Sequence, residues 1–500
     1  MINKRILNMI GYVLLFLGIS MVFSAIWSFI DHSNDLNAIL LSMLITSGSG
    51  LILILLTQVR LIKLFPYLRF NSKEKFDLSH REGYSLVTLS WVMMAVFSAL
   101  PFYIYGGPFN SYMNSFFESI SGITTTGASI LSLNDYSEIP RGLMFWRSFL
   151  GFIGGIGIIV FSIAILPLMG FGGVQLFKAE VAGPVADKLT PRIKQTASLL
   201  WSIYFGLIII MTITLMIEGL SFYDSITHSF TTIATAGFST NSNSIAAYSP
   251  IVQYTIIFFM IIAASSFSLH FLAFRKGRVE YFKDQEFKVY IGLLLLFMSV
   301  FFFDNYFKQL LNNGSIEEGL RSSLFTAASF LTTTGFTTVD YQTWGYTSHT
   351  MIFILFFIGG CAGSTTGAIK IIRTILVFKF LTRELKKLIH PKGVFNIRIG
   401  TKKVSEQVVN NTVGFYLFYI FIFVFAAFIF ACLGLDFTSS LSVSASAIGN
   451  IGPGLGDIGP SSNWASIGTP AKILASFLML LGRLEIFTVM LLFSGGFSKK

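Results

Sequence analysis

The chain has 500 residues, of which 53% are hydrophobic, 16% aromatic and only 12% charged, and its mean hydropathy is +0.72. A soluble domain carries roughly 25% charged residues, so the composition excludes a water-soluble enzyme or binding module and indicates a polytopic membrane protein. The net charge of +11 orients such a chain and meets anionic lipid; nothing in it calls for nucleic acid.

Ten stretches are long and apolar enough to cross a hydrocarbon core of roughly 30 Å. In chain order they are 6–30, 37–57, 84–105, 142–169, 197–219, 250–274, 287–310, 348–380, 412–434 and 471–496. Lys4-Arg5 before an apolar run resembles a secretion signal, but the run exceeds the roughly 7–15 residues of a signal core and reads as an uncleaved first helix. The N-terminus, 58–83, 170–196, 275–288, 370–411 and the C-terminus hold 29 of the 35 Lys and Arg residues. The positive-inside rule makes that set cytoplasmic, with both termini inside. Cys361 and Cys432 sit in apolar stretches and read as packing residues rather than a disulfide.

The outer connections after the third, fifth, seventh and ninth stretches repeat one pattern: "ITTTGASIL" from Ile123, "IATAGFSTN" from Ile233, "LTTTGFTTVD" from Leu331 and "IGNIGPGLG" from Ile448. Aligned on Gly127, Gly237, Gly335 and Gly452, they recur at spacings of 110, 98 and 117 residues. Ser121, Thr231, Ser329 and Ser446 match six residues upstream, and Thr125, Thr235, Thr333 and Asn450 two residues upstream. Each loop follows a weakly apolar segment of about ten residues, too short to span and typical of a re-entrant helix. The expected fold is therefore an all-α polytopic membrane protein. It has four pseudo-symmetric units of helix, re-entrant pore helix with loop, and helix around one pore, and two extra N-terminal helices. The expected boundaries are 1–80 for those two helices and their cytoplasmic loop, then 81–192, 193–284, 285–402 and 403–500.

Irregular backbone at membrane depth is tolerated only where protein buries it or water lines it. A loop ending on glycine can aim successive carbonyls inward, and four such loops around an axis can replace the water shell of a cation. The short helices would turn their negative ends toward the cavity below. The expected filter is Thr125, Thr126 and Gly127; Thr235, Ala236 and Gly237; Thr333, Thr334 and Gly335; and Asn450, Ile451 and Gly452.

A second constellation lies deeper. Gly359, Gly360, Cys361, Ala362, Gly363, Ser364, Thr365, Thr366 and Gly367 interrupt a bulky apolar run with small residues, where helices kink or unwind. An unwound segment there would be held by few side-chain contacts. Counting 1.5 Å per residue places Gly363 and Arg483 at about the same depth. A buried arginine costs about 2.5–3.5 kcal/mol on insertion scales, so Arg483 should face a cavity or a partner such as Glu485 or a carbonyl. Close packing of small residues is the competing reading of the glycine-rich segment.

Other patterns carry less. "GLGDIG" from Gly454 matches a dinucleotide fingerprint but follows a loop and meets Pro460 instead of opening a helix, and no phosphate-binding G-x-x-x-x-G-K-[ST] occurs. The six histidines show no metal-ligand spacing. The basic run Thr382–Gly393 reads as a lipid-facing cytoplasmic end or a docking surface for a regulatory partner. No nucleophile–base pair shares one depth, so the chain is not expected to be an enzyme. Acidic residues mostly hug the outer loops, against a secondary transporter of small solutes. The glycine-rich break keeps that class open, as it does cation symport coupled to sodium or protons.

"TTTGAS", "TTTGFTT", "IGNIGPGLG", "GGCAGSTTGAIK" and "GRLE" resemble signatures of the Trk/Ktr/HKT potassium transporter superfamily, and the two extra helices resemble its TrkH branch. The resemblance covers residues 84–496. It implies potassium uptake across the plasma membrane, the inner membrane in a Gram-negative cell, with K+ as the transported ion and no bound cofactor. It also implies a homodimer with one pore per subunit under a cytosolic nucleotide-binding TrkA-type ring. Gly359–Gly367 then resembles the family's intramembrane gating loop and Arg483 its cavity arginine. Gly127, where plant relatives that carry sodium have serine, implies potassium.

Overall fold

The computed structural model describes residues 4–58, 80–164, 189–309, 315–400 and 402–493. The expected inner segments 58–83 and 170–196, the ends of the fourth and tenth apolar stretches and the C-terminus fall wholly or mostly outside these residues.

Lys4–Ser20 and Val22–Ile30 form one span with a break at Met21, and they pack along Leu36–Gln58. Small residues set the closeness of this pair: a Cβ at Gly11, Gly18 or Gly50 would stand less than 3.0 Å from atoms of the opposite helix. Such approach is how helices associate where lipid is as apolar as leucine.

Four units follow, each with an outer helix, a short buried helix and an inner helix. The first comprises His80–Ser98 with Leu100–Tyr105, then Tyr112–Ile123 and Arg141–Ala164. The second comprises Leu189–Ile217, Phe222–Ile233 and Pro250–Ala263, continuing as Phe267–Lys276. The third comprises Gln285–Gln309, Ile316–Leu331, Tyr346–Leu355 and Ile371–Ile389; the fourth comprises Glu406–Cys432, Phe437–Gly449, Thr469–Arg483 and Phe487–Phe493. The short helices run 12, 12, 16 and 13 residues, again too short to span. Three begin on an N-cap that satisfies an orphan N–H: Ser221 for Asp224, Ser315 for Glu318 and Asp436 for Thr438 and Ser439. The only strands among the described residues are Arg398–Ile399 and Lys402–Lys403, a two-residue hairpin.

Polarity runs outward to apolar. Phe421, Val424, Phe425 and Phe428 are exposed on the lipid side of Glu406–Cys432, while Ser121, Thr231 and Ser446 at the short-helix ends are fully buried. Beyond the one-residue breaks at Met21 and Ala99, two stretches expected as continuous helices are interrupted. The sixth, 250–274, bends by 93° at Ala264–Ser266, where the Ala264 carbonyl accepts from Cys361 N and Phe267 N donates to the Gly363 carbonyl. The tenth breaks at Leu484–Ile486, with Glu485 and Ile486 left-handed and Glu485 paired to Arg373.

The glycine contacts of the N-terminal pair can be tested directly. Gly18→Leu should cost about 1–3 kcal/mol through overpacking, seen as earlier thermal unfolding of the purified protein in detergent. Gly48→Leu, with open space around its α-carbon, should melt with the parent.

Candidate functional site

The four short helices end in the same way. Thr126 N, Ala236 N, Thr334 N and Ile451 N each donate to the carbonyl five residues back, on Ser121, Thr231, Ser329 and Ser446, at 2.7–3.1 Å. Thr125, Thr235, Thr333 and Asn450 are left-handed with φ of 51–54°, and Gly127, Gly237, Gly335 and Gly452 with φ of 70–98°, whereas the residue between them is not. Alternating hands turn the N–H groups to one side of a chain and the carbonyls to the other. Threonine and asparagine carry a cost at the first position; glycine takes the second freely.

The loops close on one another in chain order. A Cβ at Gly127 would lie less than 3.0 Å from the Ala236 carbonyl oxygen, one at Gly237 from that of Thr334, one at Gly335 from that of Ile451, and one at Gly452 from that of Thr126. Each glycine thus faces the residue just before the glycine of the next loop, and the fourth returns to the first. The twelve residues expected in the filter belong to these four loops, whose glycines line one mouth.

A cuff of bonds outside the ring follows the same order. Arg147 Nη1 donates to the Ser239 carbonyl at 3.0 Å, Ile245 N to the Thr337 carbonyl at 3.1 Å, Tyr341 Oη to the Gly454 carbonyl at 2.9 Å, and Trp464 N to the Ser129 carbonyl at 2.8 Å. Arg147 also pairs with Glu118 at 2.5 Å; the two side chains are 2% and 0% exposed. Glu118 accepts in turn from Ser129 Oγ and Ile130 N, both at 2.9 Å, and the guanidinium lies 3.7 Å over the Phe238 ring. One ion pair therefore fixes the flanks of the first two loops. "GLGDIG" forms a turn at this mouth, with Leu455 N donating to Ser442 Oγ and Gly456 N to Gln342 Oε1.

Beneath the ring lies the glycine-rich segment, non-helical from Phe356 to Lys370. Gly367 N donates to Thr333 Oγ1 at 2.7 Å, Ala368 N to the Gly449 carbonyl at 2.9 Å, and Thr365 Oγ1 to the Ile233 carbonyl at 3.0 Å. The segment thus bonds to the ends of the second, third and fourth short helices. Arg483 is 2% exposed and donates Nη1 to the Thr365 carbonyl at 2.6 Å and Nη2 to the Gly154 carbonyl at 3.1 Å. Equal depth for Arg483 and the segment is thus observed. Its partners are carbonyls, and Glu485 turns to Arg373 instead.

The expectation of few side-chain contacts to this segment is corrected by the structure. Thr333, Thr366, Glu286, Lys370 and Arg483 side chains all bond its backbone, because buried irregular backbone must find partners for its polar groups. Acidic residues are expected mostly at the outer loops; Glu118, Glu286 and Glu485 depart from that and bond within the bundle. Sequence reasoning missed Arg147 and Glu118, although the cost argument applied to Arg483 holds for any charge in an apolar stretch. It missed Gly154 and Gly482 too, where a Cβ would strike the Ile123 and Ile448 carbonyls. Among the described residues no cluster of His, Cys, Asp or Glu is arranged for a metal ion.

Four re-entrant loops from one chain, joined head to tail around an axis, define a single-chain membrane protein of the pore-loop class. The TrkH family profile, described as cation transport protein, matches residues 53–499. The potassium uptake protein TrkH of Vibrio parahaemolyticus is 39% identical over 435 residues, 85% of this chain and 88% of that one. TrkH of Halomonas elongata is 34% identical over 99% of both chains. The crystal structure of the potassium transporter TrkH from Vibrio parahaemolyticus superposes with a TM-score of 0.88 at 32% identity, covering 99% of both chains. The chain belongs to the TrkH family, whose members are ion transport proteins rather than enzymes.

The buried ion pair makes a specific prediction. Arg147→Met alone leaves Glu118 charged and unpaired and should cost about 3–5 kcal/mol, read as a fall in melting temperature in detergent. Adding Glu118→Leu should recover part of that loss.

Proposed function

We propose that this chain carries potassium into the cell through one pore on the axis of the ring. The protein sits in the plasma membrane, the inner membrane in a Gram-negative cell, with both termini cytoplasmic. Its pore units are 81–192, 193–284, 285–402 and 403–500, with the two N-terminal helices in 1–80 outside them.

The observation that carries this reading is the head-to-tail ring of Gly127, Gly237, Gly335 and Gly452 against neighbouring carbonyls. Four carbonyl-bearing loops around one axis can replace the hydration shell of an ion. The ends of four short helices add about half an elementary negative charge each, which favours cations. Potassium among cations rests on the names of the relatives, potassium uptake proteins, and on glycine rather than serine at position 127. Thr125–Gly127, Thr235–Gly237, Thr333–Gly335 and Asn450–Gly452 form the filter. After the glycines the four loops differ, with Ala128, Phe238, Phe336 and Pro453, so the cage is less symmetric and selectivity lower than four equal loops would give.

Gly359–Gly367 is the gate, and Arg483 holds it shut through the Thr365 carbonyl. The guanidinium also places a fixed positive charge in a cavity of low dielectric, which raises the barrier for a passing cation. The working unit is a homodimer in lipid with one pore per subunit, controlled by a cytosolic nucleotide-binding ring of the TrkA type; the chain itself has no phosphate-binding motif.

Purified protein in liposomes tests the filter. Gly127→Ser and Gly452→Ser place a side chain on a left-handed residue against a carbonyl, and each should lower the potassium-to-sodium flux ratio more than it lowers folded yield. Unchanged ratios for all four glycine substitutions would sink the assignment. Current that reverses with the potassium gradient alone identifies a channel, and dependence on a sodium or proton gradient identifies symport.

Arg483→Ala tests the gate. It should raise potassium flux per folded dimer several-fold while leaving the ion ratio in place. Folded protein that conducts at the parent rate removes the gate and keeps the filter.

A further inference from the structure

Glu286 stands in the first turn of Gln285–Gln309 and is 7% exposed. Its Oε1 accepts from Ala362 N at 2.8 Å and from Ile372 N at 3.0 Å. Ala362 lies on the descending limb of the glycine-rich segment, and Ile372 is in the first turn of the helix Ile371–Ile389 that follows it. One carboxylate oxygen therefore clasps both sides of the segment at its base. Ile372 N is one of the orphan donors at a helix start, and the carboxylate satisfying it comes from a different helix, where negative charge also suits the helix dipole.

The neighbouring side chain reaches the other way. Gln285 Oε1 accepts from Gly400 N at 2.9 Å and from Lys379 Nζ at 3.3 Å. Gly400 sits in the turn of the hairpin Arg398–Ile399 with Lys402–Lys403, and Lys379 Nζ also donates to the Arg398 carbonyl at 2.5 Å. Two consecutive residues at one helix start thus bind the intramembrane segment on one side and the surface hairpin on the other.

We propose that Glu286 is a positioning residue that holds the glycine-rich segment in the arrangement seen here, and that Gln285 makes the hairpin Arg398–Lys403 part of the same latch. The inference rests on reading that segment as a gate. It follows from which bonds close the base. Gly359 N to the Ile369 carbonyl and Ile371 N to the Gly360 carbonyl tie the two limbs directly, and Glu286 adds the charged acceptor, the stronger kind of hydrogen bond. Displacing the hairpin pulls on Gln285, and Glu286 moves with it because the two are consecutive in one helical turn.

The chain carries its own reporter. Cys361 adjoins Ala362 and is 1% exposed, and Cys432→Ser leaves it the sole thiol, since the chain has two cysteines. In this background, in liposomes, a charged water-soluble maleimide should label Cys361 slowly. Glu286→Leu, which loses both bonds, should label at least about tenfold faster. Glu286→Gln keeps an oxygen acceptor of about half the strength and should fall between the two, as should Gln285→Ala. Potassium flux per folded molecule should rise in the same order with the potassium-to-sodium ratio unchanged.

A merely structural role predicts lower folded yield with parent-like labelling. Arg483→Ala in parallel separates the failures. If it opens the pore while folded Glu286→Leu labels and conducts like the parent, the latch is wrong and the gate stands; if neither conducts faster, the gate itself is wrong. Should Glu286→Leu not assemble, Glu286→Gln and Gln285→Ala decide, and parent-rate labelling in both overturns the proposal.

Discussion

At four places a glycine α-carbon lies against the carbonyl oxygen of the next loop, so close that no side chain fits between them. The rest of the architecture serves this contact. It requires four loops at one depth, four helix ends aimed at one axis and the same left-handed turn two residues earlier in each loop. A membrane interior makes the demand severe, because loop groups turned away from the axis have no water to bond. The repeated bond from the residue before each glycine to the carbonyl five residues back meets that demand in the same way four times.

What lies outside and beneath the ring is not repeated four times. The cuff uses a guanidinium, two backbone amides and a phenol for its four links, and only the first is backed by a buried ion pair. Below, only the third unit sends in a glycine-rich segment, and the others receive it: the second through Ile233 and Ala264, the fourth through Gly449 and Arg483, the first through the Gly154 carbonyl that Arg483 also holds. A carbonyl ring needs equal loops to surround a spherical ion, whereas an obstruction on the same axis needs only one element, so the symmetry ends where the ring ends.

Several buried or half-buried charges at the centre of the bundle tie separate elements together: Glu118 with Arg147, Glu286 with Ala362 and Ile372, Arg483 with the Thr365 and Gly154 carbonyls, and Arg373 with Glu485. A charge in a membrane interior is tolerated when it is paired and fully bonded, which makes such residues natural cross-braces for a bundle whose helices gain nothing from hydrophobic contact. Glu286 does this work for the one non-helical segment at the centre.

The sequence by itself determined the solvent, the unbroken spans, the fourfold repeat and the residues of the ring, because these rest on local properties: apolar length, charge placement and glycine at a fixed distance from its helix. The broken eighth stretch was legible for the same reason, since Gly359–Gly367 carries its own weakness. Only the tertiary structure decided the bend at Ala264–Ser266 and the break at Leu484–Ile486. Neither holds a proline or glycine; the first opens because Cys361 and Gly363 of another unit take its backbone groups, and the second carries a carboxylate that turns to Arg373. The partners of Arg483 and Glu286 were hidden likewise. A carbonyl freed by an unwound segment has no signature of its own in sequence, so which buried charge it meets is settled only when distant units pack around one axis.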